Sequence, residues 1–493
     1  MKSIIILLIF IELINFAPIN ARWLVAETAN FRVYSEGNEK NLRTVSDNLE
    51  DYWETMQDLT GVPALEGGPR LDVYLVPDLA AMREIRDLPS GAAGFYVTGP
   101  TRPLALALQT SGSTKALNTQ YLFHEVAHHF MFQNRMAAYP SWYVEGFAEY
   151  MMTAQLGEDR VTIGDVNPGR AYALNSGPWI IPADFFGKKA REFGPNDIGT
   201  YYAQSWLTVH YMFRDPARLA GLKSFLQQAN DGKADEAAFR KAFGTDYRGF
   251  EKDLRAYFGS RKITMSSYRR ASAAAQATSA IRALPVSADK LVIAQAHLRA
   301  GVEPARVQTR LAQIRQEAAK FPSDPFAKTV LAEAEVDLGD LKVGAGLLDG
   351  LIEAEPRNAD LLTLRGYAAL RLNDGTTGRR LLARAHKIDP SAAAPLFFYG
   401  ASFLQVGVPP SENTLNTLLL AADIAPQIPG ITMLTATALM KAKRFDDAIK
   451  ILGATAYNPH GGPTADIALK MINDARAGQM PDAVAQVSGT KQE

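Results

Sequence analysis

The chain contains no cysteine. That excludes disulfides, zinc held by thiolate, and a lipidated cysteine behind an export signal. Charge of either sign is not in excess. Lys plus Arg number 52, Asp plus Glu number 52, and the formal net charge is zero. Phosphate binding draws on a positive excess or a basic stripe, so the balance gives no sign of a nucleic acid partner. Histidine is scarce, with 7 among 493 residues. Beyond the N-terminus no apolar run is long enough to span a bilayer. What is present is ordinary for globular protein: 47% hydrophobic and 21% charged residues. The length fits roughly two to four domains.

The chain begins MKSIIILLIFIELINFAPINARW. Lys2 gives a positive start, Ile4 to Ile11 is unbroken apolar sequence, and the stretch stays mostly apolar to Ala21. This reads as a secretory signal over residues 1–21, cleaved after Ala21. An uncleaved anchor is the alternative, and contact with a membrane is expected only in that case. Glu12 weakens both, because it sets a carboxylate in the apolar run. An exported, cysteine-free chain of this size fits a bacterial periplasm or the cell exterior.

Residues 22–260 read as one unit. FRVYS (31–35) alternates like a strand, and 39–59 places Leu42, Val45, Leu49, Tyr52, Trp53 and Met56 at helical spacing. LDVYLV (71–76) reads as a strand, 78–86 as a short helix, and 94–99 with 103–109 as a hairpin around Gly99-Pro100. Helices are predicted over 118–136, 141–156 and from near Thr200 to about 258. Residues 157–197, rich in Gly, Pro and Asn, read as mostly loop. Residues 261–284 read as a linker or a first helix. Beyond it, Pro322, Pro356, Pro390, Pro426 and Pro459 recur at intervals of 34, 34, 36 and 33 residues. With Gly366 and Ala385 at the small positions before Pro390, residues 285–480 resemble tetratricopeptide repeats. Each pair must stack to bury its apolar face, and such arrays serve protein partners. Residues 481–493 read as a tail.

Three of the seven histidines fall in YLFHEVAHHFMF (121–132). Residues four apart on a helix are rotated by only about 40°, so His124 and His128 can ligate one ion. Glu125 leans toward the same cleft and can take a proton from water. His129 lies about 140° from His124 and reads as a bystander. Two ligands are too few for catalytic zinc, which needs three and an open position. The longer pattern with a third histidine on the same helix fails, because Met131 and Asn134 stand where glycine and histidine are required. The next helix, SWYVEGFAEY, supplies Glu145 and Glu149. Sixteen residues lie between His128 and Glu145, enough for a turn at Tyr139-Pro140 and an antiparallel return. The outcome is a His–His–Glu zinc set.

HEVAHH followed by WYVEGFAEY resembles the gluzincin zinc peptidases of the peptidase-MA superfamily over residues 23–258. Trp142, Glu145, Gly146 and Ala148 match a W-x-x-E-G-x-A setting of thermolysin-like and aminopeptidase-like members. The N-terminal strands and YYAQSW are similar to an exported bacterial branch that often carries tetratricopeptide repeats. The resemblance implies an α+β zincin-like domain with an N-terminal mixed sheet and a helical active-site half, followed by an all-α solenoid. It implies Zn2+ on His124, His128 and Glu145, Glu125 as general base, and Glu149 supporting a histidine ligand from one turn further on. It also implies an oxyanion-stabilising side chain from a later helix, for which Tyr202 is the candidate and Tyr201 and His210 are rivals. The implied activity is peptide hydrolysis. No GAMEN-like amine-anchoring motif precedes the helix, which favours endopeptidase. The strand PLALALQ is expected to pair with an extended substrate. The alternative is a catalytically silent zinc-binding domain whose repeats act as an interaction scaffold.

Overall fold

The structure is a computed structural model. It describes residues 23–63, 69–87, 94–99, 102–109, 115–134, 139–230, 234–270, 279–458 and 461–480. The N-terminal signal segment, the hairpin turn at Pro100, Pro459, His460 and the tail lie outside the described residues. No helix among the described residues is long and apolar enough to cross a membrane.

The N-terminal half is built on strands β1 (Trp23–Glu27), β2 (Phe31–Glu36), β3 (Leu71–Val76), β4 (Gly94–Thr98) and β5 (Pro103–Leu108), with helices α1 (Glu39–Thr60), α2 (Leu79–Ile85) and α3 (Lys115–Gln133). α1 begins at the Asn38 cap and stops at Gly61, whose φ of 72° is a left-handed stop that glycine adopts at no steric cost. A further strand, β9 (Ala280–Ala283), completes a six-stranded sheet in the order β4-β5-β3-β2-β1-β9. β2, β3 and β5 run parallel. Every residue of β3 is buried, as expected of a parallel strand covered on both faces. On one face Phe31, Val33, Val73 and Ala105 meet Leu49, Tyr52 and Trp53 of α1 and Val126 and Phe130 of α3.

This topology corrects the expectation for PLALALQ. β5 lies between β4 and β3, antiparallel to one and parallel to the other, so neither of its edges is open to a substrate. The expected hairpin forms, but its outer strand is β4. Among the described residues β4 pairs only with β5.

Next come α4 (Ser141–Met151), β6 (Gln155–Leu156), β7 (Arg160–Ile163), α5 (Pro168–Ser176), α6 (Pro182–Gly187), α7 (Ile198–Phe213), α8 (Pro216–Asn230), α9 (Glu236–Phe243), α10 (Tyr247–Gly259) and β8 (Ser266–Arg269). Residues 157–197 are therefore not mostly loop. Their Gly, Pro and Asn residues are helix-start chemistry: Asn167 accepts from the Gly169 and Arg170 amides, and Pro168 and Pro182 open α5 and α6. Residues 261–284 are neither linker nor helix where described. β8 joins β6 and β7 in a second, antiparallel sheet, and β9 pairs with β1. These four-residue strands are held by partners far away in sequence, which local composition does not reveal.

The C-terminal half is all α: α11 (Ala288–Ala300), α12 (Val307–Ala318), α13 (Pro325–Leu338), α14 (Leu341–Ala354), α15 (Ala359–Arg371), α16 (Gly375–Ile388), α17 (Ala393–Ala401), α18 (Glu412–Ile424), α19 (Pro429–Lys441), α20 (Phe445–Ala456) and α21 (Gly462–Arg476). Successive helices pair from α11 with α12 to α19 with α20, and α21 covers α20. Pro322, Pro356, Pro390 and Pro426 each sit in the turn after the second helix of a pair. This is the periodic array that the proline spacing predicts.

The two halves share a core. Ala288, Val292 and Ala296 of α11 pack with Trp23, Val25, Tyr34 and Tyr74 on the second face of the sheet, beside α2. The other side of α11, through Leu291, Ala294 and Leu298, packs within the array. Asp72 of β3 is 1% exposed and accepts a hydrogen bond from Arg299 of α11 at 3.0 Å. Arg299 also donates to Glu333 of α13, and Arg102 donates to Asp360 of α15 at 2.6 Å. At the far end of the array, Gln133 of α3 donates to the Ile424 carbonyl at 2.9 Å.

Candidate metal centre

α3 and α4 pack against each other, and α4 packs against α7. This brings His124, His128 and Glu145 together. His124 Nε2 and His128 Nε2 are 3.0 Å apart. Glu145 Oε2 is 3.7 Å from the first and 3.5 Å from the second. Tetrahedral zinc with bonds of about 2.05 Å separates its ligand atoms by about 3.3 Å. The three observed edges bracket that length, so the triangle fits an ion of this size. His128 and Glu145 are buried, and the His124 side chain is 13% exposed. Two imidazoles and a carboxylate, two of the three groups buried and the third partly exposed, suit zinc with an open position.

Glu125 is half-buried on the same helix. Its Cγ lies 3.5 Å from where a Cβ on Gly94 would be, so it stands beside the start of β4. Glu149, one turn after Glu145, reaches the other side of His124, with Oε1 3.6 Å from Nδ1.

Of the three candidates for an oxyanion donor, Tyr202 packs its ring beside a histidine of the site. Its ring centroid is 6.4 Å from that of His124. Burial, followed by the nearby Glu145, Glu149 and Glu125 carboxylates, pushes its phenol well above the usual range, so it carries its proton as a donor. Tyr201 is stacked on Phe193 with its hydroxyl toward the Lys188 carbonyl, and it also lies near Glu145. His210 is buried against Tyr150 and Trp206 and is hydrogen-bonded to the Tyr257 hydroxyl at 2.9 Å. His129 is also a core group. It meets the Tyr96 hydroxyl at 3.1 Å, packs on Trp53, and is held neutral by burial, which lowers its pKa to about 3.

Gly146 gives the E-G pair its physical reason. A Cβ there would lie 2.4 Å from the Ser205 carbonyl oxygen, so α4 touches the α7 backbone only because position 146 has no side chain. Trp142 lies in the core against Phe185, Phe186 and Phe225.

Sequence reasoning missed Arg170. Its guanidinium donates to both oxygens of Glu149, Nε to Oε2 at 2.7 Å and Nη2 to Oε1 at 2.6 Å. It also stands 5.2 Å from the centroid of the Tyr202 ring. The Asn167-Pro168 pair could have signalled a helix start, but nothing local foretells which carboxylate the arginine reaches.

No protein-family model and no curated protein sequence matches the chain. Among solved structures, the chain is similar to TTC0263, a thermophilic TPR protein of Thermus thermophilus, at 17% identity and a TM-score of 0.31, covering 39% of this chain and 100% of that one. It is similar to MamA of MSR-1 at 17% identity and 0.26, covering 39% and 98%. It is similar to yeast Tom70 at 12% identity and 0.31, covering 74% and 75%. The reading of residues 285–480 as a repeat array rests on its own helix pairs and proline-marked turns.

Proposed function

We propose that the chain is an exported bacterial zinc peptidase of gluzincin type that cleaves internal peptide bonds, in the periplasm or outside the cell. The observation that carries this is the convergence of His124 Nε2, His128 Nε2 and Glu145 Oε2, with Glu125 on the same helix. His124, His128 and Glu145 would hold the ion. When bound there, zinc polarises the scissile carbonyl and acidifies water. Glu125 takes the proton of the attacking water and delivers it to the leaving amine. The Tyr202 hydroxyl donates to the oxygen on which negative charge develops. Glu149 Oε1 faces His124 Nδ1 at 3.6 Å, and a small closing movement would let it accept the Nδ1 proton and favour the tautomer that leaves Nε2 free to ligate. The edge of β4 that has no partner strand among the described residues would offer backbone groups to an extended peptide.

A second reading keeps the zinc and drops the chemistry: a silent metal-binding domain whose helical array serves as a protein-interaction scaffold. The extent of that array, from Ala288 to Arg476, favours it. Under either reading the repeats are the surface for protein partners.

Metal analysis paired with a protease assay on wild type and Glu125→Gln tests both. Zinc near one per chain in both proteins, with cleavage only by wild type, supports the peptidase. Zinc without cleavage by wild type supports the scaffold. A folded wild type that binds no zinc sinks both.

A further inference from the structure

We propose that Arg170 is a positioning residue of the metal centre, fixing Glu149 and through it His124 while holding the ring of Tyr202 with the same guanidinium. This rests on the zinc reading above and deepens it.

A histidine that ligates through Nε2 must carry its proton on Nδ1, and that proton needs an acceptor in a fixed place. Glu149 Oε1 is 3.6 Å from His124 Nδ1. A glutamate has three side-chain torsions, so α4 alone does not settle where its oxygens lie. Arg170 settles it. The fork-to-fork pair, at 2.6 and 2.7 Å, fixes both oxygens and the plane of the carboxylate. Each oxygen keeps a lone pair for a further donor, so the grip does not compete with Nδ1–H.

Charge points the same way. Glu125, Glu145 and Glu149 are gathered around one small site, and Glu149 is 2% exposed. A carboxylate so buried is costly without a partner, and the guanidinium supplies one from another element. Arg170 enters from α5, which packs along α7. The helix start is pinned by Asn167, whose side chain accepts from the Arg170 amide itself. One guanidinium thus meets the carboxylate behind a ligand and the ring of the proposed oxyanion donor, 5.2 Å from its centroid. Lysine cannot replace it, because a point charge does not grip two oxygens in one plane.

The test compares full-length wild type, Arg170→Lys, Arg170→Met and the double variant Arg170→Met/Glu149→Gln. The readouts are zinc affinity by chelator competition and the visible absorption of the Co2+-loaded protein. Neither depends on turnover. The double variant removes the uncompensated buried carboxylate and keeps the comparison open if Arg170→Met folds poorly. Loss of a group behind a ligand weakens metal binding by about 10- to 100-fold. That loss is expected in Arg170→Met and in the double variant, with a shifted Co2+ band and incomplete rescue by lysine. A folded variant that binds zinc within about twofold of wild type, with the wild-type Co2+ spectrum, overturns the inference alone, even if its thermal stability has dropped. A wild type that binds no zinc overturns the zinc reading and this inference together.

Discussion

Gly146→Ala adds one methyl group where α4 crosses α7. Its Cβ would lie 2.4 Å from the Ser205 carbonyl oxygen, 2.8 Å from the Ser205 carbonyl carbon and 2.7 Å from Val209 Cγ2. Carbon atoms in contact prefer about 3.5 Å. The valine methyl can rotate away, but the backbone carbonyl cannot. The two helices must therefore part by about 1 Å. Overpacking of this kind costs about 1–3 kcal/mol, or roughly 2–12 °C in Tm for a unit of this size. The displacement falls on the site, because Glu145 and Glu149 flank the substitution on α4 and Tyr202 lies one turn before Ser205. A misplacement of about 1 Å can cost 100-fold in rate. The assays are thermal unfolding of metal-free protein, zinc affinity, and kcat/KM on a cleaved peptide. Adding Val209→Ala is expected to rescue little, since it leaves the carbonyl contact in place. An unchanged Tm together with unchanged zinc affinity would refute the claim that close backbone approach sets this site.

Three further outcomes can be checked. Glu125→Gln is expected to keep zinc and lose cleavage by at least about 100-fold, the lower range for a general base. Ala296→Asp places a carboxylate between α11 and the sheet, at a position now fully buried; an unpaired charge there costs several kcal/mol. It should abolish zinc binding although it lies in the array, and a folded variant with full zinc would show that the halves are independent. Burial, with help from Arg214, holds His210 at about 4 against an ordinary 6.5. As pH falls from 6.5 to 4 the unfolded chain gains a proton that the folded chain refuses, so stability falls by up to about 1.4 kcal/mol per pH unit. His210→Gln removes that loss. In urea unfolding its deficit relative to wild type should shrink by about 3 kcal/mol between pH 7.5 and pH 4; a constant deficit contradicts the assignment.

The parts of the site that were legible are local. His124, Glu125 and His128 cluster because the helix repeat is fixed, and Glu145 joins them because α4, the next helix, packs against α3. The array was legible because its prolines recur with its turns. Arg170 was not, since α5 reaches Glu149 only after α7 and α4 have packed. β8 and β9 were hidden for the same reason, as each is defined by a distant partner strand.

The amino-acid sequence by itself determined that His124 and His128 lie side by side on one helix, because helical spacing depends on backbone geometry alone. Only the tertiary structure decided the rest. Tyr201 and Tyr202 are adjacent and about 100° apart around α7, and the packing of α7 on α4 sets Tyr202 beside His124 and Tyr201 against Phe193. β4 rather than β5 takes the outer edge of the sheet because β3 claims the other side of β5. The contact between 22–260 and 285–480 is tertiary too: Val25, Tyr34 and Tyr74 on the sheet's second face pack with Ala288, Val292 and Ala296 of α11.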